Sequence, residues 1–324
     1  MNAGFSSYSI WWLLCHYEWY RYHGNKAYLE QSRDYITALL RQLMTQIAPD
    51  GQECLDGTRF LDWPSNSNKD AIAAGLQALM VWGMRVGVEF AELFEDRQLS
   101  NDCKAAEKKL VKAASKVYKK FLASCPAPDA PGSKQVTALM TITGLIDAPK
   151  ADKEFLSING AQGFSTFYGY YMLEAMAMAG NYQGALDVIR EYWGAMIDLG
   201  ATSFWEDFDI NWIPNAAPID ELVPEGKKDI HGDCGAYCYV GFRHSLCHGW
   251  ASGPTSWLSR HILGVEVIEP GCRQVRITPH LGDLQWVKGT FPTPYGELQI
   301  YHEKQANGNV ISEVKAPKGV SVIK

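Results

Sequence analysis

The sequence predicts a mainly α chain with a small β domain: a helical toroid followed by an antiparallel β-sandwich. Three observations predict it. Apolar residues recur at helical spacing over most of residues 1–263. Breakers rich in Gly, Pro and Asn cut that pattern into about eight segments. From residue 264 the period changes to the alternation and short apolar runs of strands.

The first stripe is Tyr8, Trp11, Trp12, Cys15 and Trp19, and the second is Ile36, Leu39, Leu40, Leu43 and Ile47. A helix starts near Asp70. Later stripes are Leu110, Ala114, Val117 and Phe121, then Phe164, Phe167, Tyr168, Tyr171, Met172 and Ala175, then Leu186, Ile189, Trp193 and Met196. Between them lie HGN (23–25), PDGQ (49–52), CPAPDAPGS (125–133), INGAQG (158–163) and AGN (179–181). Helices joined by short turns pack as antiparallel neighbours. Gly253-Pro254 opens a last helix, because proline fits a first helical turn.

The strand runs are VEVI (265–268), QVRIT (274–278), LQWVKGT (284–290), ELQIY (297–301), VISEV (310–314) and VSVI (320–323). Asn307-Gly308 between two of them is a hairpin signal. The domains are therefore expected at 1–263 and 264–324. A β domain of about 60 residues is marginal alone and should pack on the helices.

Composition sets limits. The chain has 324 residues and a net charge of −6, with 47% hydrophobic and 20% charged residues, which is globular. No basic cluster suits nucleic acid; the lysines of 104–120 alternate with helix-period apolars and form a solvated face. No stretch reaches the ~18 uninterrupted apolar residues of a membrane span. Residues 9–20 lack the basic region and cleavage site of a signal peptide, and the compartment stays unassigned. The eight cysteines are scattered and read as free thiols. Cys234 and Cys238 beside His231 form a weak zinc pattern, so no metal is expected.

Four stretches can carry chemistry. DLGATSFWEDFDINW (198–212) sets Glu206, Asp207 and Asp209 among Phe204, Trp205, Phe208 and Trp212. A carboxylate among aromatics is desolvated and suits acid–base work, and aromatic faces suit sugars. The same residues also read as an acidic turn with its tryptophans in the core. In GFRHSLCHGWASGPTSWLSRHILG (241–264), His248 is either a hydroxyl or carboxylate binder or a structural imidazole. No serine-nucleophile elbow surrounds Ser245. In DGTRFLDWPSNSNKD (56–70), Asp62 either bonds sugar hydroxyls or is a plain loop residue, with Trp63 as platform or core. In GFSTFYGYYMLEAMAMAG (163–180) the aromatic stripe reads as core, with Tyr168 the candidate platform.

Taken in order, these stretches resemble the bacterial α-L-rhamnosidases of glycoside hydrolase family 78. The matching pieces are GATSFWEDFD (200–209), SLCHGWASGPTSWLSRHILG (245–264) and PGCRQVRITPHLGDLQWVKGTFPTPYGELQI (270–300), with FLDWP (60–64) and FSTFYGYYMLEAMAMAG (164–180) fitting less sharply. The resemblance implies an (α/α)6 toroid with a C-terminal β-sandwich. It also implies hydrolysis of terminal α-L-rhamnose with inversion, without a cofactor. It carries the general base onto Glu206 and sugar binding onto His248, Asp62 and Trp63. Trp63, Trp205 and Trp250 would then shelter the sugar's 6-deoxy methyl group. An inverting site also needs an acid about 6.5–9.5 Å from the base. The family's acidic motif for that role is not found in this sequence. Asp62, Asp207, Asp209 and Asp233 are the local substitutes, with Asp62 favoured because its loop should open on the same barrel face.

Eight helices fall short of twelve, so the expected toroid is incomplete at its N-terminus. Helix faces left bare would be covered by a second copy of the chain. Alternatives to the rhamnosidase are an inactive carbohydrate-binding fragment and a helical-toroid glycosidase for another sugar.

Overall fold

The structure is a computed structural model that describes residues 4–234 and 244–323. Ten α-helices run through the described residues: α1 (Ser6–His23), α2 (Lys26–Gln31), α3 (Arg33–Thr45), α4 (Lys69–Leu93), α5 (Arg97–Ser124), α6 (Ser133–Ile142), α7 (Ala148–Ala151), α8 (Gly169–Met178), α9 (Tyr182–Asp198) and α10 (Gly253–Trp257). Strands β1 (Ala216–Ala217) and β2 (Lys228–Asp229) form a small parallel pair in a long loop. Six more strands follow: β3 (Val265–Glu269), β4 (Gln274–Ile277), β5 (Trp286–Thr293), β6 (Gly296–Lys304), β7 (Val310–Lys315) and β8 (Ser321–Ile323). Each of the six alternating runs in the sequence is a strand.

The chain divides into two compact units. One comprises Met1–Phe60, Leu76–Tyr118 and Leu258–Lys324; the other comprises Leu61–Gly75 and Lys119–Trp257.

In the first unit the strands make two three-stranded sheets, ordered β3-β4-β8 and β5-β6-β7. The second sheet is antiparallel throughout, and its turn at Asn307-Gly308 is where the sequence places a hairpin. The first is mixed, because β8 pairs with β4 in parallel. Val265, Val267, Val275, Ile277, Phe291, Leu298 and Ile300 fill one core from both sheets. Tyr22 of α1 packs against it, so the sheets do not stand alone. Gly24 makes that approach possible. It caps α1 with φ of 68°, donating its N–H to Tyr20 O at 2.7 Å. A Cβ built on it would lie 2.8 Å from the Gly271 backbone. The left-handed cap and the close contact both require glycine.

The second unit holds α6, α8 and α9 and the loops of the candidate site. Residues Ser133–Thr141 of α6 are all buried, so this stretch has no solvent-exposed face. That is why no amphipathic stripe marks it in the sequence. The stripe at 164–175 is helical only from Gly169. Ser165 accepts the Tyr168 N–H on its Oγ and the Gly169 N–H on its carbonyl, which caps a turn ahead of α8. Pro254 stands in the first turn of α10, as the sequence suggests. Among the described residues α4 alone is long and apolar enough to cross a membrane, and 78% of its apolar window is buried within the protein.

Candidate active site

The site is built by joining two sequence stretches that lie forty residues apart. The Glu206 N–H donates to Ser245 O at 2.8 Å, and the His248 N–H donates to Phe204 O at 2.7 Å. This short backbone pairing sets Glu206 and His248 side by side. The Glu206 Oε2 and His248 Nδ1 atoms are 3.7 Å apart, with side chains 13% and 35% exposed. The carboxylate is thus mostly desolvated, yet open on the side of the imidazole.

Glu206 is held by its backbone rather than by its side chain. Its carbonyl accepts the Trp250 indole N–H at 2.6 Å and the Thr166 hydroxyl at 2.5 Å. Trp250 stacks on Phe167 with centroids 5.2 Å apart and leans on His248 at 4.7 Å. Thr166 and Phe167 come from the capped turn before α8. That turn has its own anchor in Lys134, whose ammonium donates to Ile158 O at 2.8 Å and Gly160 O at 2.7 Å and lies over the Phe164 ring. Burial pulls the Lys134 pKa down to about 8.

The residues after Glu206 are fixed equally firmly. The buried Tyr192 hydroxyl of α9 donates to Phe208 O. The Asp207 N–H donates to His244 Nε2 at 3.1 Å, and His244 Nδ1 faces Ile230 O at 3.0 Å. A carbonyl only accepts, so Nδ1 carries the proton and Nε2 is the acceptor. Burial lowers the His244 pKa below the ordinary imidazole value, in keeping with a neutral ring. The sign follows. Between the lowered pKa and about 6.5 the unfolded chain binds more protons, so stability falls as pH drops through that window. Protonated Nε2 would also oppose the Asp207 N–H, at a cost of about 1 kcal/mol. The thermal midpoint of the protein should therefore fall more steeply from pH 7 to pH 5 than that of His244→Gln, whose amide oxygen accepts at any pH. Equal slopes would remove His244 as the cause.

Asp62 is 1% exposed and lies in a closed network. Its Oδ1 accepts the Ser65 N–H at 3.0 Å and the Ser65 hydroxyl; its Oδ2 accepts from Ser165 Oγ at 2.6 Å and Gln135 Nε2 at 3.1 Å. Burial raises its pKa against the pull of those donors. The neighbouring Trp63 lines a cavity of about 770 Å³, together with Gln135, Gln162, Phe164, Asp209 and Asn211. That volume lies in the range of small-molecule sites. Its wall is partly aromatic and also carries amides, which donate to and accept from hydroxyls, and carboxylates, which accept from them. Asp209 and Asn211 sit there on one turn, where Asp209 Oδ1 accepts the Asn211 N–H at 2.9 Å. Glu206 and Asp209 are three positions apart in the chain, so their Cα atoms are within about 11 Å.

The structure thus sorts the sequence candidates. Glu206, His248 and Trp250 come together, and Trp63 faces the cavity. Trp205 is fully buried against Phe208 and His244, and Asp62 is enclosed by its hydrogen bonds. Tyr168 is also fully buried; the ring beside Trp250 is that of Phe167. Of the four local acid candidates, Asp62 and Asp207 are buried, Asp233 caps a turn through Asp229 N–H, and Asp209 reaches the cavity. Gln135, Gln162 and Asn211 carry no spacing signal in the sequence, since lone amides form no motif. Among the described residues no group of three or more His, Cys, Asp or Glu side chains is placed to hold a metal. Cys238 lies outside the described residues.

The second unit thus holds both a carboxylate–imidazole pair and an amide- and aromatic-lined cavity. Comparison with known proteins gives the following likenesses. Residues 264–323 match the bacterial alpha-L-rhamnosidase C-terminal domain. The chain shares its fold with glycoside hydrolase family 78 rhamnosidases. With the enzyme of Bacillus sp. GL1 it is 21% identical over 97% of this chain and 32% of that one, at a TM-score of 0.73. With the Streptomyces avermitilis alpha-L-rhamnosidase, solved with L-rhamnose, the values are 18%, 94%, 28% and 0.64. With that of Dictyoglumus thermophilum they are 19%, 97%, 33% and 0.66. The chain therefore spans about a third of the length of these relatives. No curated protein matches the sequence.

Proposed function

We propose that the chain carries the base side of an inverting α-L-rhamnosidase site. Glu206 is the general base and holds the attacking water. His248 orients that water or binds a ring hydroxyl. Trp63 and Trp250 offer apolar surface to the sugar. The observation that carries this reading is the Glu206–His248 pair at 3.7 Å, with the backbone of Glu206 clamped and its carboxylate facing the imidazole without a hydrogen bond that fixes it. Inversion asks for a second carboxyl group about 6.5–9.5 Å away, on the leaving-group side. Within this chain Asp209 is the carboxylate best placed to serve, and Asp62 becomes a positioning residue that sets the Ser165 turn.

The test is the anomeric form of the first product. Proton NMR of an aryl α-L-rhamnoside digest should show β-L-rhamnose first, followed by mutarotation. The α anomer appearing first would exclude Glu206 as an inverting base. A panel with aryl fucoside and glucoside fixes the sugar, and cleavage of those alone would replace rhamnose as substrate.

The enclosure of Asp62 favours a second reading, in which the chain binds sugar without turning it over. Calorimetry showing L-rhamnose binding that is lost in His248→Ala, with no hydrolysis, would select it.

A further inference from the structure

The β5-β6-β7 sheet has two unlike faces. Phe291, Leu298 and Ile300 point into the sandwich core. The alternate residues point outward, and there Trp286, Lys288, Gln299, Tyr301, Glu313 and Lys315 line a shallow depression of about 830 Å³. Trp286 is 61% exposed. A tryptophan on the outer face of a sheet adds little to folding, since its ring stays in water. Register places Lys288 opposite Tyr301, and Tyr301 opposite Glu313. Trp286 is therefore the diagonal neighbour of Tyr301 across the strand pair, positions about 7–8 Å apart, so one extended ligand can span both rings.

The polar groups around the two rings balance in charge. Lys288 and Lys315 offset Glu303 and Glu313 on the same face. Such a face does not attract a polyanion, which needs excess positive charge. Among the described residues the side chains of Lys288, Gln299 and Lys315 have no hydrogen-bond or ion-pair partner. A paired aromatic platform, ringed by uncommitted donors and acceptors of no net charge, fits a neutral polyhydroxylated ligand.

We propose that this face is a carbohydrate-binding platform for a neutral oligosaccharide, stacked on Trp286 and Tyr301 and bonded at its hydroxyls by Gln299, Lys288, Lys315 and Glu313. It shares no residue with the Glu206 site. The choice of sugar chain over other neutral ligands rests on the reading of the protein as acting on glycosides.

The test is affinity electrophoresis of the protein through native gels containing a neutral L-rhamnan, with dextran and polygalacturonate gels as references. Wild type should be retarded by the rhamnan, and Trp286→Ala should weaken that retardation about tenfold, the usual scale for losing one aromatic anchor. Trp286→Tyr should keep most of it. Gln299→Ala, a change to a single exposed amide, gives a second reading should Trp286→Ala lower the melting temperature. Glu206→Gln should be retarded as wild type is, which separates this platform from the site. Loss of aryl-rhamnoside activity in the wild type with Trp286-dependent retardation intact would sink the enzymatic reading and leave the platform standing. No retardation of wild type, or retardation of both Trp286→Ala and Gln299→Ala equal to that of wild type, would overturn the platform. So would stronger retardation by polygalacturonate. A wild-type dimer that Trp286→Ala turns into a monomer on sedimentation would assign the face to a second copy instead.

Discussion

Glu206→Gln should lower kcat on an aryl α-L-rhamnoside by roughly 10²- to 10⁴-fold, the usual contribution of a general base. Melting temperature should not change. The second half of that expectation comes from the way the residue is held. The Trp250 indole and the Thr166 hydroxyl both bond the backbone carbonyl of Glu206, and the Glu206 N–H bonds Ser245 O. None of these contacts involves the carboxylate. An amide of the same shape therefore keeps the loop and removes only the basic oxygen. Azide supplied as an external nucleophile needs no base, so it should restore part of the turnover. Full activity of Glu206→Gln would end its role as base, and a large fall in melting temperature would show that the carboxylate supports the fold.

The second large effect is on stability. Asp62→Ala removes the common acceptor of Ser65, Gln135 and Ser165 inside the protein. Each buried donor left without a partner costs about 1–3 kcal/mol. Part of the loss is offset, because a buried charge no longer has to be desolvated. A net loss of about 3 kcal/mol, seen as a fall in melting temperature of roughly 6–12 °C, is the expected outcome. The pH dependence gives an independent check. The folded pKa of Asp62 is raised, so the folded state binds more protons between the ordinary carboxylate value near 4 and that raised value. Its share of stability therefore decreases as pH climbs through the window, and this component should be missing from Asp62→Ala. A melting temperature unchanged by the substitution would mean that the network is rearranged at little cost.

Much of this architecture is legible in the sequence. Strands β3, β4 and β6 are readable because each has one buried and one more open face, which forces the period of two. Helices such as α3 and α9 show themselves by a buried stripe: Ile36, Leu39, Leu40 and Leu43 in the first, Leu186, Trp193 and Met196 in the second. Helix α6 is hidden because it is buried all round, and burial without a solvent-exposed face leaves no period. The start of α8 is misplaced by the aromatic stripe, because Phe164 and Phe167 pack from a capped turn that mimics helical spacing. Within the site, the motif residues Glu206 and His248 announce themselves, while their supports do not. Trp205 and Asp62 look alike to Trp250 and Asp209 in sequence, as an aromatic and a carboxylate in a loop. What separates them is burial, set by long-range contacts such as Asp62 with Ser165, 103 residues apart. The cavity amides Gln135 and Gln162 are invisible for the same reason.

Ser165 and Thr166 are neighbours in the chain, yet their hydroxyls serve different masters. One ends on the Asp62 carboxylate and the other on the Glu206 carbonyl. A single peptide unit thus joins the ionisation of a buried acid to the placement of the Glu206 loop. A change that alters how the Asp62 carboxyl group accepts its donors pulls on Ser165, and through it on the seat of Glu206. Substitutions along this line will not add independently, since all of them act on one shared turn. Any lineage that retunes the buried acid shifts the seat of Glu206 in the same step, which makes this dipeptide a narrow gate for the drift of the site.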